Sequence, residues 1–197
     1  MDQPAPLILT LQLDERSFAF FDARRGRYFP SERNFIPAHL TLFHALPGER
    51  RASIEHDIAA RAARRQPFAL DATGVRSLGR GVAYTLESTA LAEMRRNLAL
   101  QWNDWLKPQD RQNYRPHVTV QNKVDPAAAR ALLDELGGGF TPFQVEAVGL
   151  ELWWYRGGPW EKVRAFPFHG RACPGHPAHE KQCAFRSAIT GTRPVMT

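Results

Sequence analysis

The chain is poor in cysteine. It has two among 197 residues, Cys173 and Cys183, both near the end, so no disulfide framework is implied for the body. It also lacks a long apolar run. The first hydrophobic stretch, residues 7–13, is broken by Thr10 and Gln12, far short of the roughly 20 apolar residues that a membrane-spanning helix needs. Met1-Asp2-Gln3-Pro4 carries no basic segment of the kind that begins a secretory leader. The expectation from these absences is a cytoplasmic protein with no membrane partner. Charge of one sign is not in great excess either: 26 Lys and Arg stand against 20 Asp and Glu, a net of +6. Residues 169–197, with Arg171, Lys181, Arg186 and Arg193 against Glu180, hold +3 of it. The +3 left on the body suits an anionic substrate and makes a weak case for duplex DNA.

What is present is enough apolar residue, 43%, and enough periodicity to build one compact body. Leu7, Leu9, Leu11 and Leu13 alternate with Ile8, Thr10 and Gln12, which predicts a half-buried strand. Residues 15–25 predict a helix and 26–36 a polar, aromatic loop. Ile54, Ile58 and Ala62 recur every four residues in a helix over 50–65. Strands are expected over 68–73 and 82–87. Ser88 caps a helix whose buried stripe is Leu91, Met94, Leu98, Trp102 and Trp105. A polar loop over 109–115 follows. Asp125-Pro126 starts a further helix, ended by Gly137. Strands close the body near 143–148, 150–155 and 162–168. The order predicts an α+β protein of two similar lobes with a cleft between them. Residues 1–168 form that domain, and 169–197, rich in Pro, Gly and polar residues, a loosely ordered tail.

Two short strands carry the chemistry. Pro37-Ala38-His39-Leu40-Thr41-Leu42-Phe43 is echoed by Pro116-His117-Val118-Thr119-Val120. Alternation along a strand puts His39 and Thr41 on one face and Leu40 and Leu42 on the other; His117 and Thr119 share a face in the same way. One His-x-Thr-x match is nearly worthless, and a lone strand histidine is usually structural. Two matches, each after a proline and each in an apolar run, favour a shared site with two imidazoles and two hydroxyls around one small anion.

The same alternation nominates further cleft residues. Phe43 continues the face of His39. Gln121 and Lys123 continue the face of His117, although a solvated lysine at a strand end is the plainer reading of Lys123. Thr10 and Gln12 are polar positions on a leucine-backed strand. Trp153 or Tyr155, on the face opposite Leu150 and Leu152, could stack on a nucleobase or simply pack the core. His44 shares the parity of Leu40 and Leu42, which turns it away from His39, and His56 falls off its helix's apolar stripe. In the tail, Cys173, His176, His179 and Cys183 are zinc-ligand types, but the Pro-rich span frames no site, and no metal is expected.

The paired motifs resemble those of the two-histidine (2H) phosphoesterase superfamily, which includes the 2′-5′ RNA ligase-like proteins and RNA cyclic phosphodiesterases. The resemblance covers residues 7–168, and the stretch from Leu150 to Trp160 looks like that family's closing strand pair. It implies a bilobal, pseudo-symmetric fold of two antiparallel-sheet lobes, helices outside and a central cleft. It also implies metal-independent chemistry on 2′,3′-cyclic phosphates or related diesters, without a cofactor. By this analogy His39 is the general acid and His117 the general base, with Thr41 and Thr119 donating hydrogen bonds to phosphoryl oxygens. The paired motif is specific for the superfamily and poor at naming a substrate. Hydrolysis of the 2′,3′-cyclic phosphate of RNA ends or small nucleotides by a monomer is the leading expectation. The alternatives are 2′-5′ ligation and a non-catalytic RNA-end-binding module.

Overall fold

The structure, a computed structural model, describes residues 4–169. The tail beyond, with its Cys/His cluster, lies outside the described residues. Among them are seven strands and five α-helices. In order they are β1 (Leu7–Leu13), α1 (Glu15–Tyr28), β2 (Leu40–Leu46), α2 (Arg51–Ala62), β3 (Phe68–Ser77), β4 (Val82–Glu87), α3 (Thr89–Gln101), α4 (Pro108–Arg111), β5 (His117–Gln121), α5 (Pro126–Gly138), β6 (Phe143–Trp154) and β7 (Glu161–Pro167). The strand–helix–strand–helix run β1-α1-β2-α2 recurs, with the short α4 inserted before the motif strand, as β4-α3-α4-β5-α5. No helix among the described residues is long and apolar enough to cross a membrane.

Local chemistry sets the helix starts. Asp14 accepts from the N–H groups of Arg16 and Ser17, Ser88 from Leu91, and Asp125 from Ala127, with Pro126 at the first helical position. Helix α1 runs three residues past the sequence expectation, because nothing after Arg25 breaks it before Phe29-Pro30. The expected polar loop at 109–115 contains the short α4, opened by Pro108. The two strands expected at 143–155 are one.

All pairings are antiparallel, in the order β2-β1-β6-β3-β4-β5, with β7 on β6 as well. The long β6 joins the halves. Its first part pairs with β3 through Phe143 to Ala147, and its second with β7 from Gly149 to Trp154. Two four-stranded lobes, β2-β1-β6-β7 and β5-β4-β3-β6, therefore share one strand. Gly149 sits where β6 passes from one lobe to the other; a Cβ there would lie 2.6 Å from Gln12 Oε1 and 2.8 Å from the Phe166 carbonyl.

Both motif strands lie at free sheet edges, and β2 and β5 approach each other within 8 Å. Edge strands leave backbone groups without ladder partners. Helices exchanged between the lobes meet that need. Helix α1, which follows β1, packs on β5 of the other lobe, and its buried Arg25 donates to the Thr119 carbonyl at 2.9 Å. Helix α3, which follows β4, sends the buried Arg95 to the Leu42 carbonyl at 2.7 Å. Phe43 packs edge-on against Trp102 from the turn after α3. Each lobe thus holds the other's motif strand by an arginine on a backbone oxygen.

Candidate active site

His39 stands just before β2 and His117 opens β5. Each ring Nδ1 lies 2.8 Å from the carbonyl two residues upstream, Pro37 for His39 and Arg115 for His117. A carbonyl only accepts, so Nδ1 carries the proton and Nε2 is left with its lone pair. The two motifs therefore fix the same tautomer by the same local bond. Burial pushes His39 down to about 4; the Pro37 bond opposes this, and the charges of Arg25, His117 and His44 add to it. Burial also lowers His117, with Arg115's carbonyl opposing and Arg76 and His44 assisting. Both shifts favour the neutral imidazole at pH 7.

The surroundings differ. His39 opens onto a cavity of about 320 Å³ walled by Thr10, Gln12, Phe18, Phe35, Trp153 and Trp160, with Glu151 and Lys162 at its edge. Trp160 lies 4.6 Å from the His39 ring and 6.2 Å from Trp153, centroid to centroid. Trp153 Nε1 donates to Thr10 Oγ1 at 2.9 Å, which fixes the indole. His117 opens onto a cavity of about 800 Å³ walled by Thr41, His44, Arg76, Gln112, Arg115 and neighbouring residues. Asp110, buried beneath it, accepts from the backbone N–H groups of His44 and Ala45 and from His44 Nδ1. Burial alone would raise that carboxyl, but these bonds hold it below its ordinary value.

The structure places several of the nominated residues at the two cavities. Thr10 and Gln12 do face the His39 cavity, as does Trp153. Thr41 lines the His117 cavity. Thr119 shares the face of His117 through the unbroken pairing of Thr85 with His117 and Ala83 with Thr119; it is half-buried and belongs to neither cavity wall.

Others are corrected. Phe43 is fully buried. Leu9 pairs with Phe43 while Thr10 pairs with Thr41, so Leu42 is an extra residue in β2, a bulge that reverses the alternation. Phe43 thereby inherits the core face, and His44, expected to point away, comes to the cleft. Gln121 is 8% exposed and belongs to neither cavity wall; its partner is Val82 where Thr119's is Ala83, so a second bulge intervenes. Lys123 sits beyond β5 in a turn with φ 62°, exposed and outside both walls. Tyr155 lies past the end of β6, 43% exposed, with its N–H on the Pro6 carbonyl.

Sequence reasoning missed His44, Arg76 and Trp160. Bulges hide the first. Arg76 reaches the site through the register Arg76–Ala83–Thr119 across three strands, which no local pattern reveals. Trp160 was visible as part of a Trp-rich stretch, but its place over His39 depends on how the β6–β7 hairpin folds back. Among the described residues no group of three or more His, Cys, Asp or Glu is placed to hold a metal ion.

A model of the 2′-5′ RNA ligase superfamily matches residues 13–159. Solved structures share the fold. The protein TT0787 of Thermus thermophilus aligns at TM-score 0.61 with 16% identity, covering 85% of this chain and 100% of that one. LigT of E. coli, complexed with NADP+, aligns at 0.57 with 17% identity, covering 84% and 99%, and LigT complexed with 3′-AMP at 0.58 with the same identity and coverage. A search of curated proteins finds no match.

Proposed function

The chain belongs to the 2′-5′ RNA ligase superfamily, and on that premise we propose that it is a metal-independent phosphodiesterase that opens 2′,3′-cyclic phosphates of RNA ends or nucleotides. The observation that carries this reading is the matched pair of histidines, each with Nδ1 tied to the carbonyl two residues upstream and Nε2 left free. Opening a cyclic diester requires removal of a proton from attacking water and delivery of a proton to the departing ribose oxygen. A neutral Nε2 does the first and a protonated Nε2 the second. The P–O bond to water forms, the endocyclic P–O bond breaks, and the product is a phosphomonoester. One imidazole ends with the proton the other has lost, and exchange with solvent resets the pair.

His117 is the base in this scheme. Arg76 Nη2 stands 3.2 Å from its Nδ1 and opposes a positive ring there. His39 is the acid. The Trp160 ring, 4.6 Å away centroid to centroid, lies within cation–π range of an imidazolium there, and the bound phosphate anion offsets the burial that otherwise keeps the ring neutral. Thr41 donates to a phosphoryl oxygen from the cavity wall, and Thr119 does the same from its place beside His117. The aromatic wall suits a nucleobase, and the NADP+ and 3′-AMP complexes of LigT accord with a nucleotide in this fold.

The test is phosphorus NMR of the protein with 2′,3′-cyclic nucleotides and with oligonucleotides ending in a cyclic phosphate. Conversion to a monoester that survives chelation is expected. Binding without conversion would leave an RNA-end-binding module, joining of a cyclic-phosphate end to a 5′-hydroxyl end would establish ligation, and activity lost with EDTA and restored by a divalent ion would overturn the two-histidine scheme.

A further inference from the structure

The His117 cavity holds more positive charge than the chemistry above uses. Four arginines line it, and Asp110 is the only carboxylate among the described residues of its wall. That carboxylate is 3% exposed and taken up by His44 and Ala45. Arg95 and Arg111 are committed to backbone carbonyls. Arg76 and Arg115 are not, and no ion pair among the described residues includes either. Arg76 Nε is buried without a hydrogen-bond partner. Its Nη2 meets His117 Nδ1, but that nitrogen already gives its proton to the Arg115 carbonyl and has no lone pair to offer. Arg76 is thus a donor group with no acceptor, beside a second guanidinium that repels it. His44 joins them from the other lobe. Asp110 accepts from its Nδ1, so Nε2 is left for the cavity.

We propose that Arg76, Arg115 and His44 form a subsite for a second phosphate of the substrate, separate from the phosphorus between the two histidines. The two cavities then divide one ligand. The base lies against Trp153 and Trp160, the scissile phosphate between the histidines, and a further phosphate among the arginines. In a nucleoside 2′,3′-cyclic phosphate that group is on the 5′ oxygen. It is a terminal phosphate in a mononucleotide and the preceding internucleotide linkage in an RNA end. This assignment rests on the cyclic-phosphate reading for its chemistry, while binding tests it independently of turnover.

The experiment compares the dissociation constants of adenosine 2′-monophosphate and adenosine 2′,5′-bisphosphate for the full chain by calorimetry. The bisphosphate should bind about tenfold tighter or more, the scale of charge-assisted bonds to one added phosphate. Arg115→Gln and Arg76→Gln should each bring the ratio toward one. Trp153→Ala should weaken both ligands and leave the ratio. Equal binding by the unaltered protein, or a preference untouched by both arginine variants, overturns the subsite. The two sources separate in kcat/KM for adenosine 2′,3′-cyclic phosphate, its 5′-phosphorylated form and a dinucleotide with a terminal cyclic phosphate. A gain with the 5′-phosphate alone marks a mononucleotide, and an equal or larger gain with the dinucleotide marks an RNA end. Turnover of all three at equal efficiency defeats the subsite and spares the catalytic reading. A bisphosphate preference without any turnover does the reverse.

Discussion

On the His39 side of the cleft, the imidazole looks onto indole rings, Phe35 and Phe18 across a cavity whose charged wall residues are Glu15 and the Glu151–Lys162 ion pair. On the His117 side it looks onto guanidinium groups, carboxamides and a third histidine. Beneath both, the backbone plan is the same. Each motif strand is a sheet edge, each histidine donates to the carbonyl two residues back, and each strand is held from the opposite lobe by a buried arginine. Repetition built the histidine pair, and the unmatched parts, the β6–β7 hairpin on one side and the segment before β5 on the other, set what each half touches. On the proposed reading, a symmetric pair of acid–base groups works on an asymmetric ligand.

The largest expected effect breaks the symmetric part. His39→Ala and His117→Ala should each lower kcat/KM by about 10²–10⁴-fold. The double variant should fall well short of the product of the two losses, since the histidines act on one transition state. A substrate with a good leaving group needs little protonation, so it should partly rescue His39→Ala and not His117→Ala. Rescue of the other variant would exchange the acid and base assignments. Near-normal turnover in either folded variant would remove the two-histidine reading.

A smaller effect breaks the asymmetric part. Trp153→Ala removes an indole fixed by Thr10, and base stacking on such a ring is worth about 1–3 kcal/mol. KM for adenosine 2′,3′-cyclic phosphate should rise about 5- to 150-fold with kcat less affected. Equal KM values would mean that the base does not lie in this cavity.

The pH profile sharpens the comparison without a mutation. In the free enzyme both imidazoles lie below their ordinary 6.5, His39 at about 4. The basic limb of kcat/KM records loss of the last proton the pair needs, so it must fall below 6.5. The acidic limb records the neutral ring taking a proton, and lies lower still. The optimum should sit on the acid side of 6.5, with the rate already declining at pH 7. The limbs belong to the coupled pair and not to one residue each. The kcat profile should lie higher, because bound phosphate favours imidazolium. An optimum of kcat/KM above 7 would contradict the burial of the two rings.

The sequence made much of this legible and hid a definable remainder. His39, Thr41, His117 and Thr119 repeat a pattern, the caps Ser88 and Asp125 announce their helices, and the leucines of β1 declare a buried face. Where alternation ran unbroken, as over residues 7–12 of β1 and 149–154 of β6, Thr10 and Trp153 could be placed in the cleft. Where an extra residue entered a strand the inference inverted, and Phe43 and His44 changed places. A bulge has no signature in a run such as Leu40-Thr41-Leu42-Phe43, where every residue suits either face. Arg25, Arg76 and Arg95 were illegible for another reason. Arg25 and Arg95 bond carbonyls on strands distant in the chain, Arg76 stands beside a ring on another strand, and neither a carbonyl nor a cross-strand neighbour leaves a mark in a sequence.

The smallest expected effect asks whether the symmetry extends to the hydroxyls. Thr41 lines the His117 cavity, and its own carbonyl accepts from the Tyr114 hydroxyl at 3.2 Å. Thr119 is half-buried, outside both cavity walls, with its carbonyl on Arg25. If both hydroxyls hold phosphoryl oxygens equally, Thr41→Val and Thr119→Val should cost the same. The walls argue otherwise. A hydrogen bond to a charged group is worth about 1.5–3 kcal/mol, so Thr41→Val should lower kcat/KM by roughly 10- to 100-fold. Thr119 lies outside the wall that Thr41 lines, and Thr119→Val should cost less than about tenfold. Neither change disturbs the backbone bonds that seat the strands, so both variants should keep the parent thermal midpoint. Equal losses would mean that the ligand draws Thr119 into the cleft and completes the symmetry. A larger loss at Thr119 would place the scissile phosphate nearer β5 than β2 and reverse the ranking.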